Sequence, residues 1–190
     1  MRRVIYGAAC SLDGFIVAED GGIDWLHFSK DVQEYMTSFW TRIDTIVMGR
    51  KTFQVAAAAS PAPSRASTRK RAKKPTAASA GPSSYVFSRS LDPADYPDVQ
   101  IVSTDAGDFL RALKAQPGKD ICIMGGGELA QSLLRADVVD EVGLNVHPIL
   151  LGRGVPFFRD AGRIGLSLIE SRVIGGGCVL STYNVLHPTV

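Results

Sequence analysis

Three cysteines in 190 residues, an odd number with no metal-ligand spacing among Cys10, Cys122 and Cys178, exclude a disulfide framework and a thiolate metal site. Each lies in an apolar or glycine-rich segment, the setting of a buried, reduced thiol, so a cytoplasmic location is expected. No apolar run approaches the roughly 20 residues a membrane-spanning helix needs. Arg2-Arg3 ahead of Val4–Cys10 has the outline of a signal peptide. That run is short and meets Ser11, Asp13 and Gly14, so it reads as a first strand. There is no internal repeat, and the length suits one well-filled core, so a single domain over residues 1–190 is expected.

Acidic residues are missing between Ala56 and Ser84, where Arg65, Arg69, Lys70, Arg71, Lys73 and Lys74 stand. Setting those six cations aside turns the formal net charge from +2 to −4, so the basicity is one local feature. The stretch also lacks Leu, Ile, Phe and Trp. It cannot bury enough surface to offset its ordering entropy, and a disordered basic insertion at about 57–83 is expected. A nucleic-acid-binding role through residues 65–74 is the reading this cluster suggests. With no aromatic interleaved and no docking motif around it, nonspecific phosphate attraction is the most it promises.

What is present centres on Ile121–Leu134. The apolar run Ile121–Met124 meets Gly125-Gly126-Gly127, and a helix-forming run with Leu129, Leu133 and Leu134 follows. The pattern reads as a buried strand, a tight turn and a helix N-terminus, which favours anions through its free N–H groups. Taken alone, the segment is equally a flexible turn, since the spacing is not G-x-G-x-x-G.

Elsewhere, Ser29 can cap a helix carrying an apolar stripe of Val32, Tyr35, Met36, Phe39, Trp40 and Ile43, a pattern expected to be core packing. Thr45–Met48 reads as a strand running into Gly49-Arg50-Lys51-Thr52, and Tyr85–Phe87 as one running into Ser88-Arg89-Ser90. Val99–Val102 is a further strand, followed by a helix that Asp105 can cap. The C-terminal third turns to strands, with Leu166–Ile174 and Val179–Leu186 flanking Gly175-Gly176-Gly177 as a hairpin. The expected fold is α/β, three layers, with a mixed, mostly parallel sheet closed by that antiparallel hairpin. Three junctions rich in hydroxyls, glycines and cations then fall at strand C-termini, the edge where such sheets bind ligands. A phosphorylated nucleotide site is the consequence.

These residues resemble the dihydrofolate reductase superfamily, in the branch of the C-terminal reductase domain of bacterial riboflavin biosynthesis proteins (RibD). The similarity is carried by Ala9–Ile16, Asp24-Trp25-Leu26, Met48–Thr52, Val86–Ser90, Met124–Leu129, Val139–Val142, Pro148 and Gly152-Arg153-Gly154. The resemblance implies NADPH as hydride donor. It places Gly49, Arg50, Lys51 and Thr52 at the cofactor phosphates and Ser88 and Arg89 at the adenosine 2′-phosphate. Met124, Gly125, Gly126, Gly127, Glu128 and Leu129 fall along the pyrophosphate and nicotinamide, and Ala8, Ala9 and Ile16 around the nicotinamide.

Asp13 and Glu34 are the candidate catalytic carboxylates. Asp13 is equally a turn former beside Gly14, and Glu34 equally a solvated charge. The helix position that faces the pterin in true dihydrofolate reductases falls near Gln33, between Asp31 and Glu34. His27 is a candidate pocket residue, and His147 a strand end. The expected function is reduction of a C=N or C=O in a small heterocyclic or sugar-amine substrate, by a homodimer joined through its C-terminal strands. The rival is the riboflavin-pathway reductase of a ribosylated aminopyrimidine phosphate. That enzyme needs a further phosphate-binding cation, for which Arg153 is the candidate, and a chain without an attached deaminase domain is less expected to be it.

Overall fold

In a computed structural model, residues 1–59, 81–97 and 99–187 are described. The basic run 65–74, and with it the nucleic-acid reading, lies outside them. The elements are β1 (Val4–Ser11), β2 (Phe15–Ala18), α1 (Lys30–Thr41), β3 (Ile43–Gly49), α2 (Arg50–Ala59), β4 (Ser83–Phe87), β5 (Gln100–Val102), α3 (Ala106–Lys114), β6 (Asp120–Ile123), α4 (Gly127–Arg135), β7 (Glu141–His147), β8 (Gly154–Pro156), β9 (Gly165–Ile174) and β10 (Cys178–Leu186).

Eight strands form one sheet in the order β5-β4-β3-β6-β1-β7-β10-β9. The first six in that order are parallel, and β10 and β9 close the sheet antiparallel. This is the three-layer, mostly parallel architecture expected, with one addition. Phe15–Ala18, which reads as an interruption in a loop, pairs with β8 in a separate two-stranded ribbon.

Strand alternation sorts the two faces. Val4, Tyr6, Ile121, Ile123 and Val142 pack with Leu110, Leu113, Leu129 and Leu133 of α3 and α4 into the largest core cluster. Burying each such leucine stabilises the fold by about 1.5–3 kcal/mol. On the opposite face, Ile5, Ile43 and Cys122 meet Phe39 and Trp40 of α1, and Val32 and Tyr35 meet Ile174, Cys178 and Leu180. Ser29 does cap α1, its side chain accepting from the Val32 N–H at 3.3 Å.

The three cysteines are buried free thiols, with burial pushing Cys10 up to about 11 and Cys122 up to about 12. Around the N-terminal edge of the sheet, ion pairs tie the strands. Arg3 lies 3.1 Å from Glu141, and Arg42 lies 3.0 Å from Asp120 and 3.3 Å from Glu141. The opposite edge is left to loops.

Candidate functional site

Because β4, β3, β6, β1 and β7 are parallel neighbours, their C-terminal ends stand side by side on one rim. At β3, Gly49 ends the strand and Arg50 opens α2. Arg50 Nη1 donates to Ser90 Oγ at 2.7 Å, which joins the loop after β3 to the loop after β4. Ser88 Oγ accepts from the backbone N–H groups of Ser90 (3.2 Å) and Leu91 (3.1 Å), so that loop is a preformed turn, with Arg89 exposed at its tip. Lys51 Nζ reaches Glu128 Oε1 at 3.4 Å, but both side chains are mostly solvated and such a pair contributes little.

The glycine turn after β6 is specified by its backbone. Gly125 and Gly126 have φ of +62° and +81°, a region closed to most side chains. A Cβ on Gly125 would also stand 3.1 Å from the Thr52 methyl and 3.2 Å from its hydroxyl. Thr52 thus packs under the turn, and the two junctions hold each other. Gly127 opens α4 with no side-chain cap at Gly126, which leaves the first N–H groups of the helix for a ligand. Leu129 is buried in the core behind them, while Glu128 is exposed.

One cation here escapes the sequence reading. The aliphatic stem of Arg159 lies 3.7 Å from where a Cβ on Gly127 would be. No motif marks the loop after β8. Only the pairing of β8 with β2 and the Tyr6–Phe157 stack, with the Tyr6 hydroxyl donating to Phe157 O at 2.7 Å, bring Arg159 to the α4 N-terminus.

Next to the rim, a cavity of about 330 Å3 separates α1 from the sheet. Its floor is built from small residues on one face of two adjacent strands, Gly7 and Ala9 of β1 and Gly143 of β7, with Asn145 and His147 continuing that face toward the rim. Ala8 also contributes. Tyr35, Phe39 and Trp40 form the α1 wall, and Met124 and Gly125 line both cavity and rim. Val32, Tyr35, Phe39 and Trp40 of the α1 stripe pack against the core as its periodicity suggests and, with Met36, also wall the cavity, while Ile43 starts β3. Ile16 sits on β2, half-buried against the main core, and is not among the lining residues.

Neither candidate catalytic carboxylate enters the cavity. Glu34 is exposed on α1, 3.5 Å from Lys30 one turn earlier. Asp31 accepts from the Gly175 N–H at 2.9 Å, and Gln33 is exposed. Asp13 accepts from Ser11 Oγ (2.5 Å) and from the N–H groups of Leu151 (3.1 Å) and Gly152 (2.7 Å), which hold its carboxyl below the usual carboxylate range. Both its oxygens are committed to organising loops. Glu141 lines the far end of the cavity, already paired with Arg3 and Arg42.

The polar groups nearest the rim are histidines and an amide. The His27 N–H donates to His147 Nδ1 at 3.4 Å, and Asn145 Nδ2 lies 3.2 Å from His147 Nε2. Burial and neighbouring His27 push the His147 pKa down, so its ring is neutral near pH 7. Arg153, the sequence candidate for a substrate phosphate, has a side chain 81 % exposed beside Glu19 and lies off the cavity.

Comparison with known proteins bears on the fold and the family. Bacillus subtilis (strain 168) YyaP, an uncharacterized protein, is 34 % identical over 184 residues, 96 % of this chain and 95 % of YyaP. The crystal structure of a putative riboflavin biosynthesis protein from Shewanella sp. PV-4 superposes with a TM-score of 0.76 at 26 % identity, covering 97 % of this chain and 99 % of that one. A pyrimidine reductase-like protein from Corynebacterium diphtheriae shares the fold, with a TM-score of 0.72 at 17 % identity, covering 98 % of this chain and 93 % of that one. The model of the RibD C-terminal domain matches residues 2–180, and the chain belongs to that family.

Proposed function

We propose that the protein is an NADPH-dependent reductase, with the dinucleotide along the rim and its acceptor in the cavity beneath α1. The observation that carries this reading is the adjacency of two features. A rim of three interlocked loops, with a left-handed glycine turn no side chain can fill, opens at Met124 and Gly125 into an apolar cavity. The residues fit the cofactor. Arg50, Ser88, Ser90 and Arg89 gather the donors a 2′-phosphate takes, and the capless α4 N-terminus with Arg159 suits a pyrophosphate.

When bound, NADPH supplies a hydride to a C=N or C=O carbon. The chain's part is positioning and exclusion of water. Gly125 and Gly126 let the backbone approach closely, the small floor residues leave room for a flat acceptor, and the α1 aromatics shut out bulk solvent. Asp13 and Glu34 are engaged outside the cavity, so neither supplies the proton.

Titrating the protein with NADPH and NADH, following nicotinamide fluorescence, tests this. NADPH binds more tightly than NADH, and Arg50→Ala weakens NADPH by about tenfold or more while leaving NADH nearly unchanged. Equal binding of both, unaltered by the substitution, would remove the basis of the assignment.

A homodimer is proposed on a separate observation. Edge strand β9 exposes Leu166, Leu168, Ile169 and Val173, an apolar strand edge that soluble monomers avoid.

A further inference from the structure

The reductase reading leaves open how the cavity holds its acceptor. Two tyrosines pack against opposite faces of the sheet, and they differ in one respect. The Tyr6 hydroxyl donates to Phe157 O at 2.7 Å, the partner a buried phenol needs. Among the described residues the Tyr35 hydroxyl makes no hydrogen bond. It is not sealed off either, since the side-chain polar atoms there that are both buried and unpartnered are Trp25 Nε1 and Asn145 Oδ1. The Tyr35 hydroxyl is therefore open to whatever enters the cavity that its residue lines.

The position of that hydroxyl is fixed. The Tyr35 ring stacks on Phe39, one turn further along α1, with centroids 6.2 Å apart, and Arg172 Cζ of β9 lies 6.0 Å from the Tyr35 centroid. The hydroxyl reaches across to the floor, because a Cβ on Gly143 would meet only that oxygen, at 4.0 Å. Gly143 pairs with Gly7, and Tyr6, just before Gly7, pairs with Ile123, so Met124 stands level with both glycines. Two strand spacings, about 10 Å, then separate the hydroxyl from Met124, where rim meets cavity. A flat ring lying over Gly7 spans that interval, with one edge at the rim and the other at Tyr35.

The chemistry of the hydroxyl selects the ligand. Burial, and after it the Glu141 carboxylate, hold the Tyr35 pKa above its usual value against the opposing pull of Arg42 and Arg172, so the group keeps its proton at neutral pH. Both Glu141 oxygens are committed, one to Arg42 at 3.5 Å and the other to Arg42 at 3.3 Å and Arg3 at 3.1 Å. The free group is thus a donor in an apolar chamber, and its complement is an acceptor atom on the ligand. No Lys or Arg is among the described residues that line the cavity, so the ligand that fits carries no negative charge.

We propose that Tyr35 holds the acceptor, its hydroxyl donating to a carbonyl oxygen or ring nitrogen of an uncharged flat ring, on the edge opposite the bond to be reduced. This deepens the reductase reading and rests on it for the place of the reacting edge. The hydrogen bond decides which edge of the ring is turned to the rim, and so which carbon is presented to the hydride.

The test needs no cofactor. Trp40 lines the cavity, so tryptophan fluorescence reports on its occupancy. The protein is titrated with 2-quinolone and with naphthalene, a two-ring system of the same outline without the acceptor atom. Saturable quenching by 2-quinolone is expected, about tenfold tighter than by naphthalene. Tyr35→Phe, which keeps the ring between Phe39 and Arg172, should erase that preference by weakening 2-quinolone alone, with naphthalene affinity and Tm as in the parent.

Equal affinity of the parent for the two rings, a preference that survives Tyr35→Phe, an equal loss of both rings in that variant, or no quenching by either ring would overturn the proposal. If NADPH fails to bind while the Tyr35-dependent preference stands, the reductase reading falls and the hydrogen-bond assignment remains. NADPH binding together with a preference indifferent to Tyr35 does the reverse.

Discussion

Asp13 shows how a carboxylate in a suggestive place acquires a structural task. Its two oxygens collect the Ser11 hydroxyl and two backbone N–H groups from Leu151 and Gly152, so it fastens the loop after β1 to the loop after β7. Those bonds depress its pKa, led by the Ser11 hydroxyl. A depressed carboxylate stabilises the folded state above its ordinary pKa of about 4, and the contribution fades as pH falls through the folded value. Asp13→Asn should therefore lower Tm at pH 7, and the gap to the parent should narrow in a Tm series carried below about pH 4. A gap independent of pH would contradict this account.

In the sequence, Asp13 reads equally as site or turn, because SLDG does not reveal which distant N–H groups it will meet. Glu34 is the simpler case, an i,i+4 partner of Lys30 on the solvent face of α1. Arg159 had no signal to find, since its place depends on where Phe157 stacks. Arg159→Ala should weaken NADPH and NADH alike, by about tenfold, because both carry the pyrophosphate, in contrast to Arg50→Ala. The same titration checks it, and a loss confined to NADPH would reassign the residue to the 2′-phosphate.

The glycine turn between β6 and α4 is legible as an element, because three glycines between an apolar run and a helix former leave few other readings. What the sequence does not show is its support. Thr52, more than seventy positions earlier, sits against Gly125 and Gly126 and fixes the turn to the start of α2. Gly125→Ala forces a side chain into φ of +62° and into contact with Thr52 at 3.1 Å. A loss of about 1–3 kcal/mol in urea unfolding is expected, with NADPH binding reduced.

The α1 stripe teaches the opposite lesson. Its period announces a core-facing stripe correctly, since Val32, Tyr35, Phe39 and Trp40 meet core side chains, but periodicity cannot show that the same face also walls a cavity over Gly7, Ala9 and Gly143. Gly143 offers the direct check, because a Cβ there finds only the Tyr35 hydroxyl at 4.0 Å and the backbone is unstrained. Gly143→Val should leave Tm unchanged or higher and eliminate quenching of Trp40, which lines the cavity, by small planar rings that enter it. A fall in Tm with binding intact would mean the void is not the binding chamber.

At the scale of the molecule, the parallel strands do most of the organising. Once β4, β3, β6, β1 and β7 run the same way, loops far apart in sequence are forced onto one rim, and salt bridges gather around the other. That much follows from strands alternating with helices and is legible early. The sheet's edges are not, because β9 reveals its exposed face only when its single partner, β10, is known. Sedimentation equilibrium should give a dimer at micromolar concentration, and Leu168→Lys combined with Val173→Lys should shift it to monomer without lowering Tm. A monomeric parent would end the dimer proposal and leave the site untouched.

The most direct measurement is a crystal structure of the protein with NADPH bound. The adenosine 2′-phosphate should lie against Arg50 and Ser88, the pyrophosphate at the α4 N-terminus beside Arg159, and the nicotinamide at Met124 and Gly125 where rim meets cavity. Density for the dinucleotide anywhere else, or a rim that stays empty at saturating NADPH, would contradict it.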